Sequence, residues 1–491
     1  MLRTLRILVA LLFWAGLTLL LAGVAIPLGW MAKLQLFPAI LAGNVVVLVV
    51  LAVFTLLFGR VYCSVICPLG VMQDGFAHAG AAFRKRRGGK ARQPYRYRKE
   101  LKWLRDGVWV LTVACLVGGV QLAVAFIAPY SAYGRIVRSV VDPVWPVALV
   151  AGVTLVLVGT LAFLFGRQGW CNSVCPVGTT LGILSNFQIW GPVIDKDKCR
   201  SCKACEHACK ASCIDIANKR IDYSRCVDCY DCLGSCRFDA LHFGNTWPRR
   251  KTADSAPCVP KTGTQGANSP ENAPRVPKTG TQGAAEATDN GRRAFLTGTA
   301  VLAGGGLLRA QKKVDGGFAT VLDKTVPERD TPLTPPGSKS IEDFYRHCTA
   351  CQLCVAACPN GVLRPSTDPE RLMQPEMGYE KGFCRPECTK CSEVCPTGAI
   401  LRITREEKTR YHIGKARIER SLCVAEDGTL CGNCARHCPS GAIRMVENEN
   451  GFKIPVVNEE ICTGCGACEF LCPSRPLSAI TVNGRHSHLE S

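Results

Sequence analysis

CTACQLCVAACP at Cys348–Pro359, CRPECTKCSEVCP at Cys384–Pro396, CVAEDGTLCGNCARHCP at Cys423–Pro439 and CTGCGACEFLCP at Cys462–Pro473 state one pattern four times. Each is a set of closely spaced cysteines closed by C-x-x-x-C-P. Thiolates at this spacing hold a four-iron, four-sulfur cube, and where two runs adjoin, the fourth cysteine of each ligates the cube of the other. The ligands read from the four runs are Cys348, Cys351, Cys354, Cys358, Cys384, Cys388, Cys391, Cys395, Cys423, Cys431, Cys434, Cys438, Cys462, Cys465, Cys468 and Cys472. In the second and third runs the first gap is three and seven residues instead of two. Which run pairs with which is left open by the spacing. Zinc sites show two separated pairs, often with histidine, and disulfide frameworks belong to short secreted chains. Neither fits four such runs in a chain of 491 residues.

Two further runs, CRSCKACEHAC and CVDCYDCLGSC, lie upstream and outline a compact two-cluster domain over 193–244. The crossed pattern puts Cys199, Cys202 and Cys205 with Cys236, and Cys226, Cys229 and Cys232 with Cys209. Lys210 and Arg237 stand where proline closes the other runs, as basic residues that would attract an acidic partner. Of 31 cysteines, 24 fall in the six runs and four in two C-x-x-x-C-P pairs. Cys115 reads as a small buried hydrophobe, Cys258 as an idle linker residue, and Cys213 as a replacement for Cys209 at most.

Apolar residues crowd the first 166 positions. Four stretches, about 7–30, 36–58, 107–128 and 144–165, have the roughly 20 residues needed to cross about 30 Å of hydrocarbon. Arg84, Lys85, Arg86, Arg87, Lys90, Arg92, Arg96, Arg98 and Lys99 fall between the second and third, so that loop is expected in the cytoplasm. The net charge of +20 is therefore assigned to membrane topology, and no nucleic-acid partner is expected. FGRVYCSVICPLG at Phe58–Gly70 recurs as FGRQGWCNSVCPVG at Phe165–Gly178, which makes the unit two helix hairpins in parallel repeat. Cys63, Cys67, Cys171 and Cys175 then collect at the cytoplasmic edge, where four thiols could bind a metal or form a redox pair. The plainer reading is that Cys-Pro only shapes a turn. No histidine or acidic residue lies in the four stretches and no C-x-x-C-H occurs. Haem within the bilayer, attached haem and a proton pump are all disfavoured, and quinol is expected as the mobile carrier.

Residues 245–290 are polar, contain VPKTGTQGA twice and read as a tether. At 291–310, GRRAFLTGTAVLAGGGLLRA places Arg292 and Arg293 before a short glycine-rich apolar run, the form of a twin-arginine export signal inside the chain. The expected organisation is a four-helix membrane domain at 1–192, a cytoplasmic two-cluster domain at 193–244, the tether, the signal or anchor, and a four-cluster domain at 338–482 outside the membrane. The fold class is multidomain: a four-helix transmembrane α unit plus α+β domains of bacterial-ferredoxin type.

On its helices, its two C-x-x-x-C-P pairs and its first two-cluster domain, the chain up to about residue 245 resembles the NapH/MauN-type membrane quinol dehydrogenase component. From about 290 to 480, on the twin-arginine segment and the four runs, it resembles the NapG/MauM-type ferredoxin protein. The joint resemblance implies a multi-pass protein of the bacterial inner membrane with six [4Fe-4S] clusters. It would take electrons from quinol to a periplasmic acceptor such as a cytochrome c or a redox enzyme of the nitrate-reductase type. The rival reading is an assembly or maturation factor for a periplasmic redox enzyme, whose activity would be needed only while its partner is made. No catalytic residue is named by the sequence.

Overall fold

Helix α1 (Leu2–Leu21) is almost wholly apolar beyond Arg6, and at about 1.5 Å per residue it rises roughly 30 Å. The computed structural model describes residues 2–87, 95–247 and 322–488. Nearly all of the tether, the twin-arginine segment at 291–310 and Cys258 lie outside them. Residues 1–251 and 324–491 form one unit.

The helical region departs from four uniform spans. Two helices among the described residues are long and apolar enough to cross a membrane: α1, and Trp145–Gln168, whose α-helical part is α7 below. The stretch expected at 7–30 stops at Gly23, where φ is +85°, a conformation that glycine adopts without penalty. The stretch at 36–58 breaks at Gly43 (φ +61°). It restarts as α2 (Val45–Phe58), whose N-cap Asn44 accepts from the Val47 N–H, the usual chemistry of a helix start. The stretch at 107–128 becomes α4 (Lys102–Val117) and α5 (Gln121–Ile127), divided by Gly118 and Gly119. Between α2 and α4, the segment expected to be a loop folds into α3 (Pro68–Arg87), 20 residues long. Helix α6 (Pro129–Val141) buries eight consecutive residues, Pro129 to Ile136. Helix α7 (Trp145–Phe165) completes the group. Helix α3 lies along α7, with Phe76 against Gly159 and Gly80 against the Phe163 carbonyl. Small residues permit so close a backbone approach.

The two cysteine-rich regions dock at opposite ends of α1. Near its start, Arg3 pairs with Asp231 at 2.9 Å, and α2 ends where the Ile189 N–H donates to the Leu56 carbonyl. There the first domain is closed by an antiparallel pair, β1 (Trp190–Ile194) with β4 (Leu241–Asn245), register Trp190↔Asn245 to Ile194↔Leu241. A shorter pair, β2 (Ile214–Asp215) with β3 (Arg220–Ile221), lies inside it. At the far end of α1, Leu17, Leu20 and Leu21 share one core with Phe344, Leu353, Val355 and Ala357 of the C-terminal domain.

That domain extends beyond the expected 338–482. Arg329 pairs with Glu469 at 2.6 Å, and Ser340 bridges Ser487. It contains three antiparallel pairs: β5 (Leu363–Pro365) with β6 (Pro375–Met377), β7 (Gly414–Ile418) with β10 (Ile480–Gly484), and β8 (Ile443–Glu447) with β9 (Lys453–Val457). Because β7 precedes the third run and β10 follows the fourth, their pairing encloses both.

Candidate metal centres

Local backbone geometry makes the cysteine runs into cups. In four of the six runs the second and fourth residues after the first cysteine have positive φ: Ser201 and Lys203, Asp228 and Tyr230, Ala350 and Gln352, Gly464 and Gly466. Left-handed residues in alternation turn successive N–H groups to one side, the concavity that binds anions in many iron-sulfur sites. The runs at Cys384 and Cys423, with their longer first gaps, lack this pair.

In four of the six runs the fourth cysteine lies with the cysteines of the neighbouring run. Cys209 lines one cavity with Cys226, Cys229 and Cys232. Cys358 does so with Cys384, Cys388 and Cys391, and Cys438 with Cys462, Cys465 and Cys468. Cys395 lies within the electrostatic reach of Cys348, Cys351 and Cys354. Cys423, Cys431 and Cys434 are neighbours, and the Ser474 hydroxyl donates to the Leu422 carbonyl at 2.9 Å, which brings the Cys472 turn beside them. The helical turns Ala204–Ala208 and Leu233–Ser235 pack together and bring Cys236 toward Cys199, Cys202 and Cys205. Cys213 stands 3.5 Å from Cys209, sulfur to sulfur, on the wall of the same cavity, so the structure does not separate their roles.

These groups form a row. The first, around Cys351, rests on the helical region: Tyr130 of α6, 2% exposed, interacts with Cys351, Cys354 and Cys395. The second pair is joined to the first by the Cys384 N–H donating to the Cys465 carbonyl at 2.9 Å. Beside that joint, Lys408 places its ammonium 3.3 Å from the Cys384 sulfur and 2.6 Å from the carbonyls of Arg385 and Cys388. Burial raises the Cys384 thiol pKa and Lys408 pulls it back. Sequence reasoning missed Lys408; its one signal is the Thr404 to Glu407 capping box that starts its helical turn.

Near the start of α1 the first domain is tied into the helices by charge. Arg60 donates through Nε to the Cys226 carbonyl at 2.9 Å, and its backbone N–H donates to Asp228 at 3.0 Å. Burial pushes the Asp228 carboxyl up to about 6 against the pull of Arg60. Lys210, expected to attract an acidic partner, is instead 3% exposed and paired with Asp231 at 2.8 Å and Asp74 at 3.2 Å. Desolvating an ammonium requires such internal partners. Asp74 on α3 also binds Arg6 and, at 2.8 Å, Arg167. This buried acid escaped the sequence reading because α3 was taken for a loop.

The C-x-x-x-C-P cysteines also converge. Cys63, Cys67, Cys171 and Cys175 are 4 to 6% exposed, and every pair among them lies within electrostatic reach. Across the two repeats the arginines interchange: Arg60 donates to the Gly178 carbonyl at 2.8 Å and Arg167 to the Cys63 carbonyl at 2.6 Å.

Comparison with known proteins agrees with this layout. A family model described as a 4Fe-4S binding domain matches twice, at residues 41–90 and 145–190, so the internal repeat is visible there too. Models described as 4Fe-4S dicluster domains match 347–400 and 429–475. Cysteine cups in crossed pairs within matched 4Fe-4S domains define a polyferredoxin, a protein that carries electrons on [4Fe-4S] clusters. Among its relatives, the ferredoxin-type protein NapF of Escherichia coli K12 is 29% identical over 177 residues, 36% of this chain and 99% of the relative. The methylamine utilization ferredoxin-type protein MauM of Methylophilus methylotrophus is 32% identical over 161 residues, 31% of this chain and 71% of the relative. MauM of Methylorubrum extorquens is 34% identical over 158 residues, 28% of this chain and 67% of the relative. The chain belongs to the ferredoxin-type protein family that includes MauM.

Proposed function

We propose that the chain is a membrane-embedded electron carrier that takes electrons from quinol and delivers them, one at a time, to a soluble redox partner outside the membrane, such as a cytochrome c or a respiratory reductase. Each quinol oxidised releases two electrons and two protons. The cysteines of the six runs hold six [4Fe-4S] clusters in the crossed pairs described above, and each bound cluster supplies a one-electron store. Around them the chain itself excludes water, supplies N–H donors from the left-handed turns, and sets local charge through residues such as Lys408.

The observation that carries this reading is the row of thiol groups in the C-terminal domain, which begins against Tyr130 of the helical region and continues through the Cys384 to Cys465 backbone bond. A maturation factor needs no such row. The placement of the two cysteine-rich domains at opposite ends of α1 supports a cytoplasmic first domain and a periplasmic second one. The NapH/MauN-like character of the first half and export through Arg292 and Arg293 belong to the same reading.

The test is anaerobic purification of the full chain in detergent, with iron, sulfide and EPR measured before and after reduction. Roughly four irons per cluster are expected, with quinol-dependent reduction of the centres. Cys465→Ser should remove one cluster and slow electron delivery while membrane insertion persists. Zinc in place of iron, or unchanged iron in the variant, would overturn the assignment. Protease accessibility of residues beyond 324 in intact spheroplasts checks the orientation.

A further inference from the structure

We propose that the corner between α5 and α6, centred on Arg135, is where quinol is bound and oxidised, and that its electrons enter the first thiol group of the C-terminal domain there. The inference rests on the carrier reading above and gives the quinol of that reading a binding site.

Arg135 is fully buried, and no carboxylate pairs with it among the described residues. Other arginines buried to the same degree have one: Arg167 pairs with Asp74 at 2.8 Å and Arg225 with Asp222 at 2.6 Å. Burying a charge without a counter-charge is costly. The Arg135 Nη1 donates to the Ala125 carbonyl at 2.6 Å and Nη2 to the Phe126 carbonyl at 3.4 Å. Capping the end of α5 accounts for those two groups. It leaves Nε, a buried donor without a partner, and it leaves the charge uncompensated. An electron-rich oxygen would answer both.

Unpaired polar oxygens belong to the same corner. Gln121 lies one turn before Ala125 on one face of α5, and Ala125 shares a core with Ala350 and Met373 of the C-terminal domain. Thr349 precedes Ala350, and Gln352 donates through Nε2 to the Met373 carbonyl. Gln121 Oε1, Thr349 Oγ1 and Gln352 Oε1 are buried and without a hydrogen-bond partner, on residues 1 to 3% exposed. Each unmet group costs about 1–3 kcal/mol. A quinol supplies what both sets lack, hydroxyls that donate to the amide and threonine oxygens and ring oxygens that accept from Arg135.

The position suits electron entry. Gly134, beside Arg135, is packed so closely under the first run that a Cβ on it would strike the Cys351 carbonyl oxygen. Tyr130, one turn earlier on α6, shares a core with Cys348 and Cys354. On the outer side Val120, Phe126, Val140 and Trp145 are exposed apolar side chains, a surface that fits entry of a lipid-soluble carrier. The Phe126 ring lies over the guanidinium, 5.6 Å from its centroid, and turning it aside admits a head group. Quinol leaves as quinone: its two O–H bonds break, two protons pass to water, and two electrons pass one after the other to the cluster of the Cys351 group and on along the row. Arg135 holds the quinol oxygen and favours the negative charge that grows on it as the proton departs.

The experiment uses the full chain in detergent, with short-chain ubiquinol and menaquinol as donors and stopped-flow absorbance to follow reduction of the centres. Arg135→Gln should slow quinol-driven reduction about tenfold or more, the loss expected for a hydrogen bond to a charged group, and Arg135→Lys should fall between it and the parent. Reduction by dithionite and iron content should stay parental in both. Should Arg135→Gln fail to fold, Gln121→Leu decides. It removes an unpaired buried oxygen, so a merely structural role gives an equal or higher melting temperature and an unchanged KM for quinol, whereas the proposed role gives a raised KM at unchanged dithionite reduction. Parental quinol kinetics in Gln121→Leu and Arg135→Lys overturn the site and leave the carrier reading standing. Loss of bound phospholipid phosphorus from Arg135→Lys at a parental quinol rate makes a lipid headgroup the occupant and overturns it likewise. A parent whose centres are reduced by dithionite and by neither quinol would instead sink the quinol part of the carrier reading.

Discussion

Lys408 shows how much a single side chain can set at a redox site. Its ammonium contacts one sulfur and two carbonyls while its side chain is buried, so Lys408→Met removes a positive charge and leaves two carbonyls without a donor. The reduced cluster carries one more negative charge than the oxidised one, and loss of a nearby cation disfavours it. Redox titration followed by EPR should show one C-terminal centre with a lower midpoint potential, and the domain should lose about 1–3 kcal/mol of stability for the unsatisfied carbonyls. His488 acts differently, through pH. It is fully buried and bonded to the Ser338 carbonyl at 3.0 Å, tying the segment after β10 to the start of the domain. Burial holds its pKa below the ordinary 6.5, so folding opposes protonation. The stabilisation is complete above about 6.5 and is lost as pH falls below it. Melting temperatures should therefore drop more steeply with acid in the parent than in His488→Gln, and parallel pH profiles would refute this. Neither role was legible in the sequence, because nothing local marks a lysine or histidine that long-range packing will bury. The grouping of the cysteine runs was legible, since it depends on spacing along the chain.

At the level of elements, the sequence named the helical region correctly and misjudged its pieces. Mean hydropathy over a window registers composition, and the stretches at 36–58 and 107–128 are apolar enough to pass. It does not register that Gly43 with Asn44, and Gly118 with Gly119, stop and restart the helix. The opposite error concerned α3, whose charged end, Arg84 to Arg87, hid a helix that packs on α7 through small residues. Gly80 is the close-contact point: a Cβ would collide with the Phe163 carbonyl oxygen. Backbone cannot yield as a flexible side chain can, and overpacking of this sort costs about 1–3 kcal/mol or more. Gly80→Leu should therefore lower the thermal stability of the solubilised protein and disturb Asp74, two turns earlier on α3. Gly75→Ala, on the same helix with open space around it, should be neutral or stabilising by up to about 1 kcal/mol. Equal melting temperatures for the two variants would show that α3 does not pack as described.

For the whole molecule, the decisive relation is the docking of the C-terminal domain on the helical region, because a row of centres linked to that region would conduct only if its first member stays against it. The sequence could place both domains on the chain and could not show that they touch, since the contact joins residues more than 200 positions apart. Leu17, Leu20 and Leu21 supply the apolar part, Gly23 comes so close that a Cβ there would lie 2.7 Å from the Ala356 oxygen, and Gly134 of α6 sits under the Cys351 carbonyl. Gly134 is the informative position. Leucine is a better helix former than glycine by up to about 1 kcal/mol, so Gly134→Leu does not harm α6, and its side chain can be accommodated only by pushing the C-terminal domain away. The cysteine cups are built within that domain and should keep their iron. What should fall is the rate at which reducing equivalents entering at the helical region reach the Cys384 and Cys465 centres, while reduction of those centres by a small soluble donor stays at the parental rate. Stopped-flow reduction of both proteins, with iron content as control, separates the cases. A parental rate by both routes would mean that electrons do not pass through the Tyr130 contact, and a loss of iron would mean that the docking surface also holds the domain's fold.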